Sequence, residues 1–235
     1  MHLNADDRTR VNNITHCYDQ FTGEPCVLNY VPPPHPITVT LNEFFNRKKP
    51  VIVHFIAFFK HLPELQVLDI DDQVSLIKQN LRLLLPLNYA LLKTPARSKL
   101  SFTKMRTVGC VNDVDVHRLF LRLSDSFVPC VTFDPIVIKL FVLVLFFTRH
   151  SFVNEHPNEY KQTNVIKQIH TSYTELLWLY MIDKCGEKHA VQLFTQLITK
   201  YLYVQIIMDS IDAIVRLNTT VDCLDSLLQT VLDLT

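Results

Sequence analysis

The chain has 235 residues, with 23 Lys and Arg balanced by 23 Asp and Glu, and only 3 Gly. A single domain of this length with 48% apolar residues has the material for a large core, so a disordered chain is excluded as the expectation. Zero net charge leaves no cationic excess for phosphates and argues against direct DNA binding.

So little glycine disfavours hairpin-rich β architecture and predicts long helices punctuated by proline. Val11, Ile14, Tyr18 and Phe21 have helical spacing, and this first helix should stop before Gly23. Pro25 and the run Pro32, Pro33, Pro34 and Pro36 predict an extended connection. From Leu41 to His61 apolar residues occur almost all round the helical wheel. That pattern predicts a helix through the middle of the molecule, kinked or split at Pro50. Pro63 closes it, and Asp69, Asp71 and Asp72 open the next helix with carboxylates where the helix dipole favours them. The stretch 74–92 is nearly all leucine, with Pro86 expected to interrupt it. A small β-element is expected over 101–108. Helices are expected over 113–124, 134–148 and 160–183, then from about 187 past 208 after Gly186, and finally over 221–234. The sum is an all-α single domain over 1–235, a three-layer helical sandwich of ten to twelve helices.

The six cysteines form no C-x-x-C pair, which removes the spacing that zinc fingers and redox dithiols need and predicts free thiols in a reducing compartment. No apolar leader opens the chain, and the most apolar run, 136–147, holds Lys139 and is too short for a bilayer span. A soluble intracellular protein is expected. Nucleotide-loop, nucleophile-elbow and zincin motifs are absent. His54 with His61, and Cys185 with His189, are read as structural pairs lacking further metal ligands. No enzymatic activity, metal or cofactor is expected.

The most informative stretch is 55–78, FIAFFKHLPELQVLDIDDQVSLIK. It resembles the signature of nuclear receptor ligand-binding domains at Phe58, Lys60, Pro63, Leu68, Asp72, Gln73, Leu76 and Lys78. It departs from that signature at Phe59, Glu64, Leu65 and Ile77. The end of the first helix at 17–21, the run 133–147 and the tail 227–234 are similar to the family's first, eighth and activation helices. The branch most similar is that of the vitamin D, pregnane X and constitutive androstane receptors, with invertebrate xenobiotic-sensing relatives. The eight-cysteine DNA-binding module of full receptors is not in these residues.

The resemblance implies a domain that senses a small lipophilic molecule, with xenobiotics as a candidate class, and recruits Leu-x-x-Leu-Leu coregulator helices to regulate transcription. It implies a nuclear or partly cytoplasmic location and a retinoid X-type receptor as candidate dimer partner. The acid of helix five tied to dimer interfaces is replaced by Leu83, which puts the usual partner choice in doubt. Lys60 and Lys78 would form the positive end of a clamp around Val53, Ile56, Ile70, Gln73, Val74 and Ile77, closed by Leu227, Leu228, Thr230 and Val231. A cation at one rim suits the negative C-terminal end of a docked helix. Thr230 stands where the family carries a glutamate, so charge-assisted capping is lost unless Asp233 replaces it.

A ligand cavity would be lined by Phe44, Arg47, Lys48, Val51 and Phe55 on one helix and Leu85, Asn88 and Leu92 on the next. Phe102, Ile207, Met208 and Ile211 would complete it. Leu92 occupies the place of the arginine that binds anionic ligands, so an acid-specific site would need Arg47, Lys48 or Lys93 instead. Two rivals stand beside this reading. One is a ligand-independent module with a filled core that competes for coregulators or receptor partners; the other is a lipid carrier.

Overall fold

The computed structural model describes residues 3–23, 37–39, 41–93, 108–110, 114–148, 160–218 and 225–231. For Gly23, 37–39, Leu41, Phe44, Arg47, 108–110, Val114, Asp115, His117 and Asn218 it describes the backbone alone. Among these residues are eight α-helices: α1 Ala5–Tyr18, α2 Leu41–Lys60, α3 Pro63–Gln66, α4 Ile70–Leu92, α5 Val114–Phe133, α6 Pro135–Phe146, α7 Thr163–Asn218 and α8 Ser226–Val231. The chain is mostly helical, as composition predicts. Three-residue strands β1 Ile37–Val39 and β2 Val108–Cys110 pair in parallel. Residues 101–107 of the expected β-element lie outside the described residues.

Several helices begin where their sequences demand. Asn4 caps α1 and forms a reciprocal box with Asp7, which satisfies two otherwise orphaned backbone amides. This start precedes the apolar pattern from Val11, because the first turn is exposed and leaves no hydrophobic signature. Asp69 caps α4 through the Asp71 amide, and Asp134 caps α6 ahead of Pro135. After α1 the chain continues as a π-helical turn, Asp19–Gly23.

Three expectations about helix position and continuity are corrected. The innermost helix is α4, not α2: every residue from Asn80 to Leu92 is buried, whereas Val53 and Lys60 of α2 face solvent. α4 packs against α2, α5, α6, α7 and α8. Pro86 does not interrupt α4, and the helix expected over 113–124 runs on through Pro129 to Phe133 as α5. Proline removes one backbone donor, and in α4 burial on all sides outweighs that loss. The two helices expected on either side of Gly186 are present: they meet within the α7 span at a kink where Gly186 takes the non-helical φ 76° and ψ 161°. Among the described residues the helices number eight, with that pair counted as one.

The core is held by aromatic stacking and a few buried ions. Phe59 stacks on Phe146 with centroids 3.9 Å apart and touches Phe55 and Phe58. Lys139, the one charge in the apolar α6, is buried; it pairs with Asp19 at 2.8 Å and lies over the Tyr18 ring. Arg82 of α4 is buried and pairs with Asp212 of α7. Arg10 of α1 bonds Glu64 and Ser172 and lies 4.5 Å above the Tyr173 ring.

Candidate functional site

The signature region builds an exposed apolar surface on two packed helices. Along α2, Lys49, Val53, Ile56 and Lys60 follow the i, i+4, i+7, i+11 spacing of a single helix face. Along α4, Ile70, Val74 and Ile77 do the same and end beside Lys78. Val53 is 42% exposed, Val74 43% and Ile70 66%, while Ile56 and Ile77 are half-buried against the main core. Lys60 and Lys78 are both exposed. Val53, Ile70 and Val74 are thus exposed apolar side chains on otherwise well-packed helices.

The polar residues of the stretch serve the frame of this surface. Asp72 is buried, and its carboxylate accepts from the backbone amides of Lys161 and Gln162 just ahead of α7. The Gln162 side chain in turn accepts from the Asp69 amide. Gln73 donates from Nε2 to the Leu68 carbonyl at 2.8 Å, and Gln66 donates to the Lys60 carbonyl. The α3 turn is thereby fastened to both helices that carry the apolar stripe. Gln73 is half-buried and spends its amide on that turn.

The short tail helix α8 packs against both α2 and α4. Asp225 caps it, accepting from the Leu227 amide at 3.0 Å. The same carboxylate accepts from Lys49 Nζ at 2.6 Å, and the Asp225 amide donates to Asn46 Oδ1 at 3.1 Å. The Lys49 ammonium, and secondarily the Leu227 amide, hold the Asp225 carboxyl below its ordinary value. Lys49 and Lys60 thus stand at opposite ends of one α2 stripe, eleven residues or about 16 Å apart along the helix axis. The tail begins at one end, and a free lysine marks the other.

Within α8, Leu228 and Val231 are buried in the main core, one helical turn apart. Both side chains seat the tail on the body and do not face the groove, which corrects their place among the coregulator contacts. Leu227 and Thr230 remain half-buried at the surface. The Thr230 hydroxyl donates to the Ser226 carbonyl at 3.0 Å, a local bond that uses its only proton. Asp233 lies outside the described residues.

The residues expected to line a cavity divide between two hydrophobic clusters. Phe55, Leu85, Met208 and Ile211 belong to the main core, and Ile207 packs against it. Val51 and Leu92 belong to a second cluster, with Tyr89 and the edge of Phe120. Lys48 is half-buried, with its ammonium 5.7 Å above the Tyr89 ring. Lys93 pairs with Asp125 at 2.7 Å, which removes it as a ready anion partner. Asn88 is buried, and its Oδ1 accepts from the hydroxyl of Tyr18 on α1. Tyr18 itself lies against Phe58 and Lys139, so this contact ties Asn88 of α4 to α1. The side chains of Phe44 and Arg47, and all of Phe102, lie outside the described residues.

Of the histidines weighed earlier, His61 has structural partners. His61 stacks on Phe21 at 3.9 Å and engages the Ala57 carbonyl through Nδ1. Cys17, Cys130 and Cys185 are free thiols, and burial raises the pKa of each. Among the described residues no cluster of three or more His, Cys, Asp or Glu could hold a metal ion, and no helix is long and apolar enough to cross a membrane. Sequence reasoning missed Asn46, Lys49 and Asp225; the available signal was Asp225 directly before Ser-Leu-Leu, an N-cap pattern.

No protein-family model matches the chain, and no curated protein matches it.

Proposed function

We propose that the chain is a nuclear-receptor-type ligand-binding domain, arranged as a three-layer helical sandwich. In this proposal it binds a small lipophilic molecule and recruits Leu-x-x-Leu-Leu helices at the α2–α4 surface. The observation that supports the proposal is a tail helix packed on both α2 and α4, the two helices that carry the exposed Val53 and Val74 and the half-buried Ile56 and Ile77. A two-turn amphipathic helix is about 11 Å long and fits between the Lys49 and Lys60 ends. Its three leucines would cover the valines and isoleucines, and Lys60 and Lys78 would meet its last carbonyls. Ligand would act by favouring the docked tail over other positions. Transcriptional regulation, a nuclear location and a receptor dimer partner follow from this proposal.

Thr230 gives the opposite end of the clamp no charge, so recruitment is weaker than a glutamate would allow. The decisive measurement is fluorescence anisotropy of a labelled Leu-x-x-Leu-Leu peptide with the wild type, Lys60→Ala and Thr230→Glu. Lys60→Ala is expected to weaken binding roughly fivefold and Thr230→Glu to strengthen it by a similar factor. Equal affinity for the wild type and Lys60→Ala would overturn the proposal.

The second reading is a ligand-independent module that competes for coregulators or receptor partners. The closely stacked Phe55, Phe58, Phe59 and Phe146 favour it, because they leave that part of the core filled. Native mass spectrometry of the purified chain separates the two: a retained small molecule marks a sensor, and bare protein with intact peptide binding marks the filled module.

A further inference from the structure

A second concavity lies far along the chain from the groove, between α5 and α7. Two polar tethers mark its ends. At one end, Lys184 and Tyr180 of α7 reach Asp134 Oδ2 at 3.1 Å and 2.9 Å. At the other, Lys200 donates to the Ser126 carbonyl at 2.7 Å. Ser126 and Asp134 are eight positions apart in the chain and Lys184 and Lys200 sixteen, with α7 kinked at Gly186. Side chains of both helices line a cleft of about 460 Å³, within the size range of small-molecule sites.

Its chemistry narrows the occupant. Pro129 and Phe133 form the α5 wall, with Cys130 beside them; Phe133 is 51% exposed, unusual for an aromatic ring without a partner. Facing them, His189, Gln192 and Gln196 follow one another along α7 at i, i+3 and i+7, with Leu193 and Cys185 completing the wall. Among the described residues no Asp, Glu, Lys or Arg lines the cleft, which favours a neutral occupant. Both thiols are held protonated by burial, which disfavours a soft metal ion. A carboxamide presents a donor edge and an acceptor edge together, and its complement is the N–H and C=O edge of a lactam. The exposed Phe133 ring offers offset stacking to a flat aromatic body.

We propose that this α5–α7 cleft is a second small-molecule site, independent of the receptor reading, which takes a neutral planar aromatic lactam against Phe133 and the amides of Gln192 and Gln196. The test uses the full chain and 6(5H)-phenanthridinone as probe. Isothermal titration calorimetry compares the wild type, Phe133→Ala and Gln192→Leu/Gln196→Leu, and repeats the wild-type titration with the N-methyl lactam, which lacks the donor. Mass spectrometry follows iodoacetamide labelling of Cys185 with and without the probe. Expected are saturable one-site binding, about tenfold weaker binding for the double variant and for the N-methyl lactam, and slower labelling of Cys185 when the probe is bound. The substituted residues are exposed, and the N-methyl comparison requires no variant, so misfolding cannot imitate the result. Absence of saturable binding, equal affinity in both variants, or unchanged Cys185 labelling would overturn the proposal.

Discussion

The two faces of α2 make opposite use of similar residues. Phe55, Phe58 and Phe59 are completely buried and meet Phe146 of α6 in a stacked cluster. On the opposite face Val53 and Lys60 stand in solvent, and the stripe has only a short tail helix near one end. The same helix therefore closes a core on one side and leaves an apolar strip unfinished on the other. The difference teaches that the exposed strip is not a by-product of a loose fold, since the packing behind it is complete.

The largest expected effect breaks the filled side. Phe59→Ala should cost about 3–5 kcal/mol, because the ring is fully enclosed and its neighbours cannot collapse into the space. Urea unfolding of that variant should be set beside Val51→Ala, in the separate small cluster with Tyr89 and Leu92, which should cost only about 1–2 kcal/mol. Equal losses would show that the two clusters are packed alike.

A smaller effect sharpens the role of the α7 bend. Gly186→Ala places a side chain at φ 76°, a conformation that costs roughly 1–2 kcal/mol for a residue with a Cβ. No heavy atom lies within 4 Å of such a Cβ, so thermal melting should report backbone strain alone. A melting temperature unchanged from the wild type would mean that the bend needs no glycine.

The smallest effect concerns the exposed strip and its tail. The Asp225 carboxyl is held below its ordinary value by Lys49, so its contribution is fully present above the unfolded Asp value of about 3.9 and is lost as pH falls through the lower folded value. Hydrogen exchange of the α8 amides should accelerate, relative to the rest of the chain, on acidification below that point. Lys49→Met should exchange faster at neutral pH and flatten the dependence. An identical profile in Lys49→Met would show that the ion pair does not hold the tail.

Much of the fold was legible because burial writes a period into the sequence. The apolar runs of α2, α4 and α6 and the caps Asp69 and Asp134 mark their helices without help from the rest of the chain. Legibility failed where a decision depended on neighbours. Pro86 reads as a break, yet α4 runs through it because α2, α5, α6 and α7 enclose it. Asn88 reads as a polar handle in a cavity, but the Tyr18 hydroxyl, seventy residues away in the chain, ties it to α1. Leu228 and Val231 read as groove contacts; the seat on α2 and α4 takes both.

Composition and periodicity alone were enough to make this chain a helical domain with a large dry core, because glycine scarcity and 3.6-residue spacing act through local backbone geometry. Which helix lies innermost, which lysine holds the tail, and where two helices part to leave a cleft were decided only in three dimensions. Each of those outcomes depends on contacts between residues dozens to more than a hundred positions apart, and local periodicity carries no record of them.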